Sequence, residues 1–253
     1  MKQTTMIPAL TLLFPLVLLG QSGAGVEKTV INQTPTHTTM EHQTDFYAAL
    51  QQYIAAEILP AMAEISAERQ EVLREIASYI QEEAKAGQPI ELVFICTHNS
   101  RRSHFGQIWA ATAAAYYGIS GVSTYSGGTE ATAFNPRAVA AVQRAGFQVE
   151  NPGGSNPHYQ VRFAPDQPPL ECFSKVYDDP ANPRRGFAAI MTCAEADQAC
   201  PIVPGAALRI PTPYVDPKEA DDTPQETARY DERCRQIGAE LFYVFAKAAA
   251  GGF

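Results

Sequence analysis

The chain has 253 residues, 45% of them hydrophobic, with a formal net charge of -8 and five cysteines. That length holds one domain with a sizeable core plus an appendage. No long basic run occurs, which argues against a nucleic-acid partner, and an odd number of cysteines in a chain this long is not a disulfide framework.

At the N-terminus, Lys2 precedes "IPALTLLFPLVLLG", uncharged from Ile7 to Gly20. The run is shorter than the roughly 20 residues of a membrane helix and carries two prolines, so no stable membrane anchor is expected. "SGAG" follows, with Ser22 and Ala24 spaced for cleavage after Ala24. Residues 1–24 read as a secretory signal peptide, which implies an exported or periplasmic protein. Translation from Met40 is the alternative, and would make the protein cytoplasmic. Residues 25–43 are a polar, Thr-rich linker.

From Phe46, apolar residues recur at 46, 50, 53, 54 and 58, a helical spacing that Pro60 is expected to interrupt. A second helix places Val72, Leu73, Ile76, Tyr79 and Ile80 on one face and ends at "KAGQP", 85–89. These helices, 44–88, form an N-terminal helical appendage.

The main domain, 89–253, opens with "IELVFI", a buried strand, followed by the helix "SHFGQIWAATAAAYYG", the strand "VSTYSGG", and a helix capped by Asn135 with Pro136 in its first turn. Strand and helix in alternation predict an α/β fold, a parallel sheet flanked by helices. Residues 151–186, rich in Pro, Gly, Asn and Asp, break the pattern as an insertion. "FAAIMTC" (187–193) and "ALRIPTPYVDP" (207–217) return as a strand and a strand leading into a loop. Thr223-Pro224-Gln225-Glu226 reads as a capping box before a last helix that buries Tyr230, Ile237, Leu241, Val244 and Phe245.

The chemistry concentrates in "CTHNSRRS", 96–103. A short loop between a parallel strand and a helix can turn its backbone N–H groups inward and bind a tetrahedral oxyanion, and the same positive field stabilises a thiolate. Cys96 is thus a candidate nucleophile. Thr97, His98, Asn99, Ser100, Arg101, Arg102 and Ser103 form the oxyanion cradle. Arg102 brings a two-pronged guanidinium, Ser103 a donor to the thiolate and Asn99 an amide to brace the loop, whereas the His98 side chain is expected near the rim and the Arg101 side chain points out of the cradle or steers anions.

This segment resembles the phosphate-binding loop of the low-molecular-weight protein tyrosine phosphatases and of the arsenate reductases built on the same fold. "TYSGGTEATAFNPRAVAAVQRAGF" is similar to the family's second strand and helix, and "VDP" at 215–217 to its Asp-Pro motif. The resemblance spans roughly residues 90–250 around the insertion, and implies Asp216 as the general acid that protonates the departing oxygen. A turn signal is the other reading of Asp216-Pro217.

"MTCAEADQACPIVP" places Cys193 and Cys200 seven apart after a strand. The spacing resembles the thioredoxin-coupled arsenate reductases, and implies a relay in which Cys96, Cys193 and Cys200 attack in turn before a thioredoxin-like dithiol reduces the final disulfide. Arg101 departs from that pattern, standing where many such reductases have a cysteine. Seven helical residues span about 10.5 Å, and a disulfide needs Cα atoms about 4.4–6.8 Å apart, so a helix between the two cysteines would have to unwind. A structural disulfide or inert thiols are the other readings of the pair.

No metal and no cofactor are expected beyond an external reductant. The substrate is arsenate or a phosphoester. A phosphatase would draw rim aromatics from Tyr125, Tyr177 and Tyr214, each of which reads otherwise as core or surface, and a non-catalytic oxyanion sensor would need only the cradle. Cys234 is expected in the core, and Cys172 receives no assignment.

Overall fold

The computed structural model describes residues 44–200 and 202–251. The expected leader (1–24), the linker at 25–43 and the alternative start at Met40 lie outside the described residues. Among the described residues no helix is long and apolar enough to cross a membrane.

Four parallel strands form the central sheet in the order β2-β1-β6-β7: β1 is Ile90–Cys96, β2 Val122–Gly128, β6 Phe187–Met191 and β7 Ala206–Pro211. The strand that ends in Cys96 therefore has a neighbour on each side, with Cys96 opposite Gly128 and Ile95 opposite Met191. Its side chains divide by alternation. Leu92 and Phe94 enter the main core, whereas Val93 and Ile95 enter a smaller cluster with Met191, Cys193, Ala196 and Val203.

On the main-core side lie α4 (Arg102–Tyr116), α5 (Pro136–Arg144) and the long α7 (Glu226–Ala250). Asn135 caps α5, its side chain accepting from Arg137 N–H at 2.9 Å. The N-terminal helices share this core. Fully buried Trp109 of α4 packs edge-on against Phe242 of α7 and stacks 6.0 Å from Tyr53 in the first helix.

That first helix passes Pro60 without breaking: α1 (Ala48–Tyr53) widens into a π-helical segment, Ile54–Ile58, and continues as α2 (Leu59–Ala61). Proline lacks an N–H and crowds the preceding turn, and a widened turn accommodates both. The helix stops instead at Ile65, where the backbone becomes extended before Ser66 caps α3 (Ala67–Lys85).

The capping box also differs from expectation. The Glu226 carboxylate accepts the N–H of Asp222 at 2.7 Å, one residue earlier than a box would place it, and Thr223 Oγ1 accepts from Gln225. Asp222 is left-handed (φ 61), and its turn shifts the pairing by one residue.

A second, antiparallel sheet has three strands, β3 (Gln148–Glu150), β4 (Tyr159–Arg162) and β5 (Leu170–Cys172), the last two within residues 151–186. Cys172 on β5 is fully buried in the main core.

Gly106 in α4 lies against β1, and a Cβ there would overlap the Phe94 ring. Gly106→Ala is expected to destabilise the fold by about 1–3 kcal/mol through overpacking. Denaturant unfolding checks this, and an unchanged midpoint would contradict the close approach.

Candidate active site

The loop 97–101 joins the end of β1 to the start of α4, and its carbonyls are occupied. Thr97 O accepts from Glu130 N–H (2.8 Å) and Thr129 Oγ1, His98 O from Thr132 Oγ1 and Ser174 Oγ, Asn99 O from His104 Nε2, Ser100 O from Asn135 N–H, and Arg101 O from Phe105 N–H. Among the described residues the N–H groups of 97–101 donate to no other protein group. Carbonyls tied outward and donors left free is the arrangement that binds an oxyanion.

Asn99 makes the turn at φ 44, a conformation asparagine tolerates better than most residues. Its amide nitrogen donates to Ser103 Oγ (2.8 Å), and its amide oxygen accepts the N–H of Lys175 (2.9 Å) from the insertion. Ser103 Oγ lies 3.1 Å from Cys96 Sγ. Having accepted from Asn99, the Ser103 hydroxyl has its proton to offer the sulfur. Gly128 presses on this loop, and a Cβ there would come within 2.7 Å of Asn99 N and Thr97 O.

Below the loop, His104 is fully buried and stacked 4.0 Å from Phe134. Burial, reinforced by the Lys175 ammonium, lowers its pKa from 6.5 to about 3. The neutral ring donates from Nε2 to Asn99 O, which can only accept, so Nδ1 accepts from Ser126 Oγ at 3.2 Å.

Arg102 and Asp216 meet at the mouth. Arg102 Nη1 donates to Tyr214 O (2.8 Å) and Nη2 to Asp216 Oδ2 (2.7 Å), while its Nε is buried without a partner. Asp216 also caps a 3-10 turn, Pro217–Ala220, through Lys218 N–H. Arg101 turns out of the loop, donating from Nε to Tyr230 Oη (2.9 Å) and lying 3.8 Å from Asp216 Oδ1. Tyr230 in turn donates to Asp221.

Cys193 reaches the loop from the neighbouring strand, its Sγ 3.3 Å from Thr97 Oγ1. Burial raises its pKa, opposed by Thr97, the Ala196 N–H and the Arg102 charge. It is the N-cap of α6 (Ala194–Ala199), and Cys200 stands at the other end of that helix. All five cysteines are free thiols. Cys172 and Cys234 lie apart in the main core, both pushed up to about 12 by burial.

No family model matches the chain. An arsenate reductase of Bacillus licheniformis is 28% identical over 156 residues, covering 62% of this chain and 94% of the relative. An arsenate reductase of Bacillus subtilis is 28% identical over 151 residues, 59% of this chain and 91% of its own length. The low-molecular-weight phosphotyrosine phosphatase of Vibrio cholerae superposes with a TM-score of 0.45 at 14% identity, covering 65% of this chain and 99% of its own. In sequence, the chain is similar to arsenate reductases over 62% of its length.

The remaining candidate residues divide between the rim, the core and the sheet. Half-exposed His98 lies at the rim, 3.7 Å from Glu130. Tyr214 is core, donating to Glu240 and lying under Arg69, so it offers no rim. Tyr125 pairs with Val93, three residues before Cys96, and its hydroxyl reaches back to Glu91. Tyr177 alone of the three stays near, bonded through its backbone to Gly128 and packed with Cys200. Sequence reading missed His104, Ser126, Ser174 and Lys175, which brace the loop. Only His104, next to Ser103, carried a positional signal. Among the described residues no cluster of His, Cys, Asp and Glu is gathered to hold a metal.

Folded His104 stays neutral while an unfolded one protonates near 6.5, so stability falls as pH drops from about 6.5 towards about 3. His104→Gln keeps the donor to Asn99 and is expected to flatten this slope by up to about 1.4 kcal/mol per pH unit. Chemical denaturation of both proteins between pH 7 and 5 checks it. Parallel profiles would show that His104 titrates normally.

Proposed function

We propose that this enzyme is an arsenate reductase that works through the Cys96 thiolate and a relay of Cys193 and Cys200. The observation that carries this reading is the approach of Cys193 to the loop holding Cys96. A phosphoester hydrolase of the same cradle has no use for a second thiol there.

In the proposed sequence, arsenate sits on the free N–H groups of 97–101, and Arg102 exchanges Asp216 for the oxyanion. The Cys96 thiolate bonds to arsenic, and an arsenate oxygen leaves as water, with Asp216 passing the proton. The Cys193 thiolate then attacks Cys96 Sγ. The sulfur–arsenic bond breaks, its electron pair reduces As(V) to As(III), and arsenite departs. The Cys200 thiolate attacks Cys193 Sγ, restoring the Cys96 thiolate and leaving a Cys193–Cys200 disulfide. An external dithiol protein of the thioredoxin kind takes up that disulfide. No other cofactor enters. If the leader is cleaved, that dithiol belongs to the compartment outside the cytoplasm.

Phosphomonoester hydrolysis is the second reading. It is favoured by one observation: the Arg102–Asp216 pair stands at the mouth of the cradle with no hydrogen bond to Cys200. Cys200→Ser separates the two. In the reductase, one arsenite per enzyme appears and turnover then stops with a Cys96–Cys193 disulfide, while p-nitrophenyl phosphate hydrolysis is unaffected. Arsenate turnover at the wild-type rate would sink the relay and leave the phosphatase.

Arg102→Lys keeps the charge but not the two-pronged contact. It is expected to weaken phosphate and arsenate binding by about tenfold or more. Titration calorimetry with either anion checks this, and unchanged affinity would count against the cradle.

A further inference from the structure

Arg209 belongs to β7 and has no part in the cradle, yet its guanidinium is committed to one short segment. Nη2 donates to the backbone oxygen of Asp197 (2.7 Å) and to its carboxylate Oδ1 (2.6 Å), and Nε donates to the backbone oxygen of Cys200 (3.0 Å). These acceptors cluster at the C-terminal end of α6, the helix between Cys193 and Cys200. Two of them are carbonyls of the kind a helix end leaves without partners. A six-residue helix does not persist on its own. Its supports are the Cys193 cap, buried Ala196 and Arg209.

We propose that Arg209 is a latch that holds the relay segment helical in the dithiol state and must let go when the Cys193–Cys200 disulfide forms. This inference rests on the relay reading and deepens it. The geometry requires release. Cysteines at the two ends of an intact α6 are separated by about 10.5 Å of helical rise, and a disulfide draws their Cα atoms to about 4.4–6.8 Å. The segment must unwind, and the Asp197 and Cys200 carbonyls then cannot both keep their places on one guanidinium anchored in the sheet. Because the bonds exist only in the dithiol state, Arg209 stabilises that state against the disulfide. The spent enzyme is thereby made easier for a dithiol to reset. Arg209 is a positioning residue: it touches neither substrate nor reacting sulfur.

The test equilibrates the full-length enzyme with mixtures of oxidised and reduced dithiothreitol. In this exchange Cys193 and Cys200 give up two electrons and two protons to the cyclic disulfide of the reagent. Peptide mapping after thiol trapping measures the Cys193–Cys200 disulfide. Arg209→Met is expected to raise the equilibrium constant for that disulfide by about tenfold, the scale of a few partly exposed charge-assisted bonds. Arg209→Lys, which can hold the carboxylate but not all three acceptors, should fall between. In the reduced proteins, hydrogen exchange at the amides of Asp197 and Cys200 should quicken in the same order. This second readout needs no disulfide. If the wild type forms the disulfide and both variants match it in equilibrium and exchange, the latch is overturned and the relay stands. If the wild type forms no such disulfide at any ratio, the relay reading fails, and the redox role of Arg209 fails with it.

Discussion

Everything at this site depends on the loop after β1 keeping its carbonyls outward. A chain leaving the middle of a parallel sheet has few residues in which to reverse before α4 begins, and each peptide brings a donor and an acceptor to be placed. Here each carbonyl from Thr97 to Arg101 has a named partner, so the donors are left for an anion. The turn hinges on Asn99, left-handed and fully buried, whose side chain ties Ser103 on one side to Lys175 on the other. Ser103 then faces the sulfur. Cys96 is presented by hydrogen bonds that begin in the insertion.

The central position of β1 has a second consequence. Its even-numbered apolar side chains, Leu92 and Phe94, anchor it to the helical core, while Val93 and Ile95 build the cluster that also holds Cys193. With β6 as the adjacent parallel strand, Cys193 ends up beside the loop by topology rather than by sequence proximity. The helix α6 that follows Cys193 is attached at its far end to the next strand, β7, through Arg209. The loop, α6 and Arg209 are thus borne by three successive strands of one sheet, β1, β6 and β7.

Charge at the mouth is arranged around one carboxylate. Asp216 is held by Arg102 at 2.7 Å with Arg101 further off at 3.8 Å, and Arg101 is itself kept out of the cradle by Tyr230 and Asp221. Two adjacent arginines therefore have separate duties. Arg102, whose Nε is buried without a partner, holds Asp216 directly, and Arg101 ties the Asp216 loop to α7 through Tyr230. The exposed Val215 beside Asp216 shows that this loop lies at the surface.

Local rules made much of this legible. An apolar β-branched run marked β1 and a short apolar run β6, asparagine before proline marked the start of α5, and Cys-x5-Arg between a strand and a helix marked the cradle. Each is a short-range pattern whose physics is complete within a few residues. Where local rules failed, a neighbouring turn had altered the backbone: a π-helical segment carries the chain past Pro60, and left-handed Asp222 shifts the cap of α7. For Tyr214 and Tyr125 rim and core both stayed open in the sequence, because an aromatic residue carries no mark of the direction it faces. The sequence by itself determined which residues bring reactive groups: a thiol, a guanidinium, a carboxylate and a further pair of thiols. Only the tertiary structure decided that Cys193 touches the loop of Cys96, that the insertion braces Asn99, and that Arg209 grips the helix between two cysteines. Those contacts join residues tens of positions apart or on different strands, and strand order and side-chain direction, which set them, are not written in any local pattern.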